Sequence, residues 1–233
     1  MARLVIRRVD KLNALDAAMV DAIVPLCRQI ERPDARVVIL TGEGKAFCAG
    51  GDIAAWSALS PEDFGMQWLR DGHQAFDALA RLRQPLIAVM NGHCLGGGLE
   101  LAACADLRIA EAHVKIGLPE TGLGIIPGWS GTQRASRRFG AQLVGRMALF
   151  AKVLTADQAL GFGIVDQVVP TGEGMAAAQV VADRVLSRAP RDRVDQDADQ
   201  CGRGRRAGAR GRTAGRLDRC RVGRVGRGPR RLP

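Results

Sequence analysis

Leu86-Ile87-Ala88-Val89-Met90-Asn91-Gly92-His93-Cys94-Leu95-Gly96-Gly97-Gly98-Leu99-Glu100-Leu101-Ala102-Ala103-Cys104 is the stretch on which the fold turns. Residues 86–90 are an apolar run of the length of a buried strand. Asn91-Gly92 stops that run, and Gly96-Gly97-Gly98 leads into a helix start at 99–104. An earlier stretch repeats the plan. Val37-Val38-Ile39-Leu40 is a second buried strand ended by Thr41-Gly42, followed by a Gly-rich loop that ends Lys45-Ala46-Phe47-Cys48-Ala49-Gly50-Gly51-Asp52-Ile53. Both junctions place glycines just beyond the carboxyl end of a strand, where α/β folds put ligands.

Outward from these junctions, strands and helices alternate. Asp16 caps an amphipathic helix that runs to Ile30, with Met19, Ile23, Leu26 and Ile30 on one face. Residues 61–82 read as a helix with Pro61 in its first turn. Residues 107–110, 114–116 and 165–169 read as strands. A Gly/Pro-rich loop spans 121–131, and helices are expected over 132–139, 142–151, 155–160 and 174–188. The alternation gives an α/β class. No internal repeat is visible in the sequence.

The chemistry gathers at the junctions. A glycine lets backbone approach a ligand closely, and the first amides of a helix have no partner inside it. Two such amides converging on one oxygen make an oxyanion hole; the competing reading is that the glycines only serve turns. A Walker loop is excluded, because no Gly-Lys-Ser/Thr ending follows. A dinucleotide fingerprint is excluded, because Phe47 stands where a third glycine belongs. Glu100, between Leu99 and Leu101, and Glu120, in Leu118-Pro119-Glu120-Thr121-Gly122, are candidate acid/base carboxylates, since burial in apolar surroundings raises a carboxyl pKa. For Glu100 the alternative is an exposed helical residue. Gly92-His93-Cys94-Leu95-Gly96 also fits a nucleophile elbow with Cys94 as nucleophile. That role needs His73, His93 or His113 beside it; the alternative is a small buried thiol. The three histidines lack metal-ligand spacing.

Composition sets the bounds. The chain has 233 residues, 47% hydrophobic and 25% charged, within the range of one ordinary globular domain. No apolar run is long enough for a transmembrane helix, and Met1 to Arg8 lack a signal-peptide core. Six cysteines without CxxC spacing point to neither disulfides nor zinc, and to a reducing cytoplasm. The net charge of +10 is concentrated at one end: residues 191–233 hold 14 Arg and 5 Asp, whereas residues 1–190 hold 20 basic and 19 acidic side chains. The division expected is a catalytic domain over 1–190 and a basic low-complexity tail over 191–233. Three readings of that tail compete: a solvated disordered appendage, a nucleic-acid-binding segment, or an out-of-frame translation of a GC-rich gene. The absence of aromatic residues there argues against nucleic-acid binding.

Four stretches together resemble the crotonase superfamily, and most closely its enoyl-CoA hydratase/isomerase family. They are Asn13-Ala14-Leu15, residues 45–52, Asn91-Gly92 with Gly96-Gly97-Gly98 and Glu100-Leu101, and Pro119-Glu120 with Gly122, Pro127-Gly128 and Gly131-Thr132. The resemblance spans roughly residues 4–190. It implies a β-β-α spiral assembled into homotrimers or dimers of trimers, and an acyl-CoA thioester substrate of the fatty-acid β-oxidation kind. It implies an oxyanion hole from the amides of Gly51 and Gly97, and a substrate-binding run along Gly51, Asp52, Ile53 and Ala54. It implies Glu100 and Glu120 as the catalytic pair, with Glu100 activating water and Glu120 supplying a proton. Two glutamates favour hydration over double-bond isomerisation. No metal or cofactor is implied, since coenzyme A belongs to the substrate. Trp56, Phe64, Met66 and Trp68 fall where the acyl site is bordered, although ordinary packing explains them equally well. The resemblance also implies that the chain starts inside the family's first strand pair, and that C-terminal helices closing the acyl pocket should follow residue 190. The Arg/Gly segment stands there instead, so an intact constellation with compromised folding, assembly and CoA affinity is expected.

Overall fold

In the computed structural model of the chain, residues 1–32 and 35–188 are described. The expectations for 191–233 lie outside them. Among the described residues, nine strands form two sheets. β1 (Ala2–Ile6), β2 (Val38–Gly42), β4 (Leu86–Met90), β6 (Leu107–Glu111) and β9 (Gln167–Val169) make a parallel sheet in the order β1-β2-β4-β6-β9. β3 (Ala46–Cys48), β5 (His93–Leu95), β7 (Lys115–Gly117) and β8 (Val153–Thr155) make a second sheet in that order, antiparallel only at β7/β8.

The chain passes three times from the first sheet to the second: β2 to β3, β4 to β5, and β6 to β7. The first two passes lead on into helix. This is the expected β-β-α spiral. The repeat is structural and leaves no repeated sequence, because a three-residue strand such as β5 carries too few positions to show one. For the same reason β3 and β5 were hidden inside stretches that read as Gly-rich loops. β1 and β8 are further strands that the apolar pattern did not announce: β1 alternates exposed and half-buried residues, and β8 buries only Leu154.

The continuous apolar runs of β2 and β4 follow from burial on both faces. Val38, Leu40, Ala88 and Met90 join the larger core. Ile39, Ile87, Val89 and Ile109 face α9 (Gly174–Leu186), which covers the other side with Ala178 and Ala182. Each such Ile or Val contributes about 1.5–3 kcal/mol of burial. α1 (Ala17–Glu31) is capped by Asp16, whose side chain accepts from the Met19 amide, as expected. The helix α2 (Ile53–Trp56) is capped by Asp52. Next, α3 (Pro61–Asp63) continues through a π-helical segment, Phe64–Leu69, into α4 (Arg70–Ala80). After α5 (Gly97–Ala102) come a second π-helical segment, Gly131–Ala135, then α6 (Ser136–Phe139), α7 (Ala141–Leu149) and α8 (Ala156–Gly161). Among the described residues no helix is long and apolar enough to cross a membrane.

Candidate active site

The two Gly-rich junctions meet backbone to backbone. Gly50 has φ +107, and a Cβ there would stand 3.2 Å from the Leu95 carbonyl oxygen and 3.3 Å from the Gly97 amide nitrogen. Only glycine combines that dihedral with that closeness. Gly51 forms an isolated parallel bridge with Leu15. That bridge uses the Gly50 carbonyl and the Asp52 amide, so the Gly51 N–H lies outside it. Gly97 is the first residue of α5, where an amide has no partner within the helix. Both glycines line one cavity of about 60 Å³ together with Glu100, Glu120, Trp68 and Trp129. Side chains at either glycine would crowd the tryptophans: a Cβ on Gly51 would lie 3.1 Å from Trp68, and one on Gly97 3.0 Å from Trp129.

Glu100 projects from α5 and is only 3% exposed, so it is not the exposed helical residue of the alternative reading. Its Oε1 accepts from the Trp129 amide at 2.7 Å and from the Gly131 amide at 2.5 Å. Burial, and then the neighbouring Glu120, push its pKa up to about 8, against those two amides and Arg134. Glu120 opens the 3-10 turn Glu120–Leu123 and is 8% exposed. Among the described residues, no other residue offers a hydrogen-bond partner to either of its carboxylate oxygens. Burial pushes its pKa up to about 7, opposed only by its own backbone amide. Gly96, at φ +53, makes room for it, since a Cβ there would sit 2.9 Å from Glu120 Oε1. Uncompensated buried carboxyls of this kind are costly and favour the protonated form.

The expected substrate-binding run divides. Asp52 is buried and already committed: its side chain accepts from the amides of Ala54 and Ala55, and Oδ2 pairs with Arg8 Nη1 at 2.6 Å. That pairing holds its pKa below the usual carboxylate range. Ile53 and Ala54 are exposed beside it. Of the four expected acyl-site residues, Trp56, Phe64 and Trp68 line the cavity. Met66 is 59% exposed and does not: two residues from both Phe64 and Trp68, it lies on the opposite face of the helical segment.

Cys94 cannot serve as the nucleophile of an elbow. It is fully buried on β5, and burial raises its thiol pKa well above the ordinary value, which removes the reactive thiolate. His93, adjacent in sequence, points outward and accepts from the Lys115 amide through Nδ1.

Sequence reading did not find the elements that hold Glu100. Trp129 and Gly131 supply amides, which carry no side-chain signature. Trp129 is fixed by its Nε1–H bond to the Trp68 carbonyl at 3.1 Å and by ring contacts with Trp68 and Phe76. Arg134 is buried and paired with Asp77. The only available signal was Gly131 within the Pro127–Thr132 motif.

Residues 1–201 match the family model "Enoyl-CoA hydratase/isomerase". The chain is 38% identical over 192 residues to a short-chain-enoyl-CoA hydratase of Clostridium acetobutylicum, covering 82% of this chain and 73% of that one. It is 38% identical over 193 residues to a crotonyl-CoA hydratase of Syntrophomonas wolfei, with 81% and 73% covered. The fold matches the crystal structure of an enoyl-CoA hydratase from Bacillus anthracis with a TM-score of 0.77 at 34% identity, covering 81% of this chain and 73% of that one.

Proposed function

This chain belongs to the enoyl-CoA hydratase/isomerase family, and we propose that it adds water across the α,β double bond of an enoyl-CoA thioester. The observation that carries the reading is the pair of buried carboxylates, Glu100 and Glu120, sharing one small cavity with Gly51 and Gly97. Attack of water on the β-carbon moves negative charge onto the thioester oxygen. The amides of Gly51 and Gly97 stabilise that charge, and losing one such donor costs about 3–4 kcal/mol in comparable sites. Charged Glu100 takes a proton from the attacking water, and protonated Glu120 delivers one to the α-carbon. The products are a 3-hydroxyacyl-CoA and the same pair with the proton exchanged, so atoms and charges balance.

Burial raises both carboxyls, Glu100 to about 8 and Glu120 to about 7, and at Glu100 the Trp129 and Gly131 amides act against that rise by favouring the charged form.

The reading requires no group beyond the coenzyme A of the substrate. It carries with it a cytoplasmic protein of the β-oxidation reaction class, assembled as a homotrimer or a pair of trimers. The exposed apolar side chains Leu149, Phe150 and Phe162 support assembly, which sedimentation measures. The first test is hydration of crotonyl-CoA, followed as loss of the conjugated-thioester absorbance. Turnover of this substrate is expected. Isomerisation of a 3-enoyl-CoA without any hydration would replace the reading.

A further inference from the structure

We propose that His73 and Ser130 are positioning residues for Glu100, their hydrogen bond locking the left-handed turn whose two flanking amides grip the Glu100 carboxylate. This deepens, and rests on, the hydratase reading.

Ser130 sits between the two residues that donate to Glu100 Oε1. Its backbone is left-handed, φ 78 and ψ 15, a conformation that non-glycine residues adopt only when something holds them. The reversal at Ser130 lets the amides on either side of it, Trp129 N at 2.7 Å and Gly131 N at 2.5 Å, converge on a single oxygen. An extended residue there would aim them apart. Two bonds pin it. Its carbonyl accepts from the Gln133 and Arg134 amides, at 3.2 and 2.6 Å, which starts the π-helical segment. Its Oγ lies 2.9 Å from Nδ1 of His73 on α4.

His73 is not among the residues lining the carboxylate cavity; it lines an adjoining one of about 420 Å³ that shares Phe64, Leu69 and Gly128 with it. Its contact toward the Glu100 grip is the bond to Ser130. The space is equally exacting, because a Cβ on Gly131 would stand 2.6 Å from Glu100 Oε1. The charged groups facing Glu100 are Glu120, from the turn that it opens, and Arg134, from the π-helical segment, itself paired with Asp77 of α4.

The test uses His73→Ala, Ser130→Ala and their double variant in the full chain. Alanine removes only the hydroxyl and leaves the left-handed backbone without its side-chain lock, so Ser130→Ala decides the matter where His73→Ala loses the fold. Each single variant is expected to lower kcat on crotonyl-CoA about five- to tenfold, the double no further, with KM within about twofold. The Glu100 carboxyl, followed by carbon NMR against pH, is expected to titrate higher than in the parent, because the amides that favour its charge are loosened. His73→Asn, whose amide reaches the Nδ1 position, is expected to restore most of both. An unchanged Glu100 midpoint in Ser130→Ala overturns the proposal. Should the parent fail to hydrate crotonyl-CoA, the hydratase reading falls, and the Glu100 titration alone then decides the positioning role.

Discussion

Glu100 and Glu120 share a cavity but are built in opposite ways. Glu100 is fixed: it stands on a helix, receives two amide hydrogen bonds on one oxygen and has Arg134 behind it. Glu120 is bare: it stands at the start of a short turn, and among the described residues no other residue meets either oxygen. In the proposed mechanism the held carboxylate receives the proton of water and the bare one gives its proton away; burial raises both, Glu100 to about 8 and Glu120 to about 7. Environment, not residue type, separates two chemically identical side chains.

The largest effect should come from removing each carboxylate's proton chemistry in turn. Glu100→Gln and Glu120→Gln are each expected to lower crotonyl-CoA hydration by about 10²–10⁴-fold. If only one of them does so, the two sites are not an acid/base pair. Next in size, steric variants sharpen the contrast without deleting a carboxyl. Gly131→Ala crowds Glu100 and Gly96→Ala crowds Glu120, since each Cβ would meet its glutamate oxygen at 2.6 or 2.9 Å. Alanine at Gly96 also bears an unfavourable positive φ. Losses of about tenfold or more are expected from each. Loss of rate in Gly131→Ala without any change in the Glu100 titration would detach the amide grip from function.

Stability against pH reads the bare site directly. Glu120 titrates near 7 in the folded chain, above its ordinary value of 4.5. The folded state therefore binds more protons than the unfolded one between those values, and stability falls as pH rises through that window. Glu120→Gln should leave stability at pH 4 unchanged and raise it above pH 8 by at most about 3 kcal/mol, measured by denaturant unfolding. Glu100→Gln should show the same sign over a window extending to about 8. The smallest change concerns the edge of the site. Asp52 has its pKa lowered by Arg8, so the contribution of this pair is present at neutral pH and lost on acidification. Asp52→Asn should lower the melting temperature slightly at pH 7 and hardly at all near pH 3.

The buried parallel strands, the two glycine junctions and both glutamates were legible because each leaves a local mark: an apolar run, a run of glycines, a charge among leucines. Gly131 was marked only as part of the Pro127–Thr132 motif, and the Trp129 amide, the left-handed Ser130 and its bond to His73 left no mark. His73 and Ser130 are 57 residues apart, and no periodicity connects them. The nucleophile-elbow reading of Cys94 failed for a related reason. A pattern of five residues says where a thiol lies along the chain, not how much protein covers it.

By itself, the sequence determined that the chain alternates strands and helices, that glycines stand at two strand ends, and that Glu100 and Glu120 are candidates for proton chemistry. Those features depend on neighbours within a few residues, where hydrophobic pattern and backbone freedom act. Only the tertiary structure decided that the two junctions touch at Gly50, that one glutamate is gripped while the other is bare, and that three passes between sheets form a spiral. Electrostatic character is set by burial and by donors brought from distant segments, and these exist only after the chain has folded.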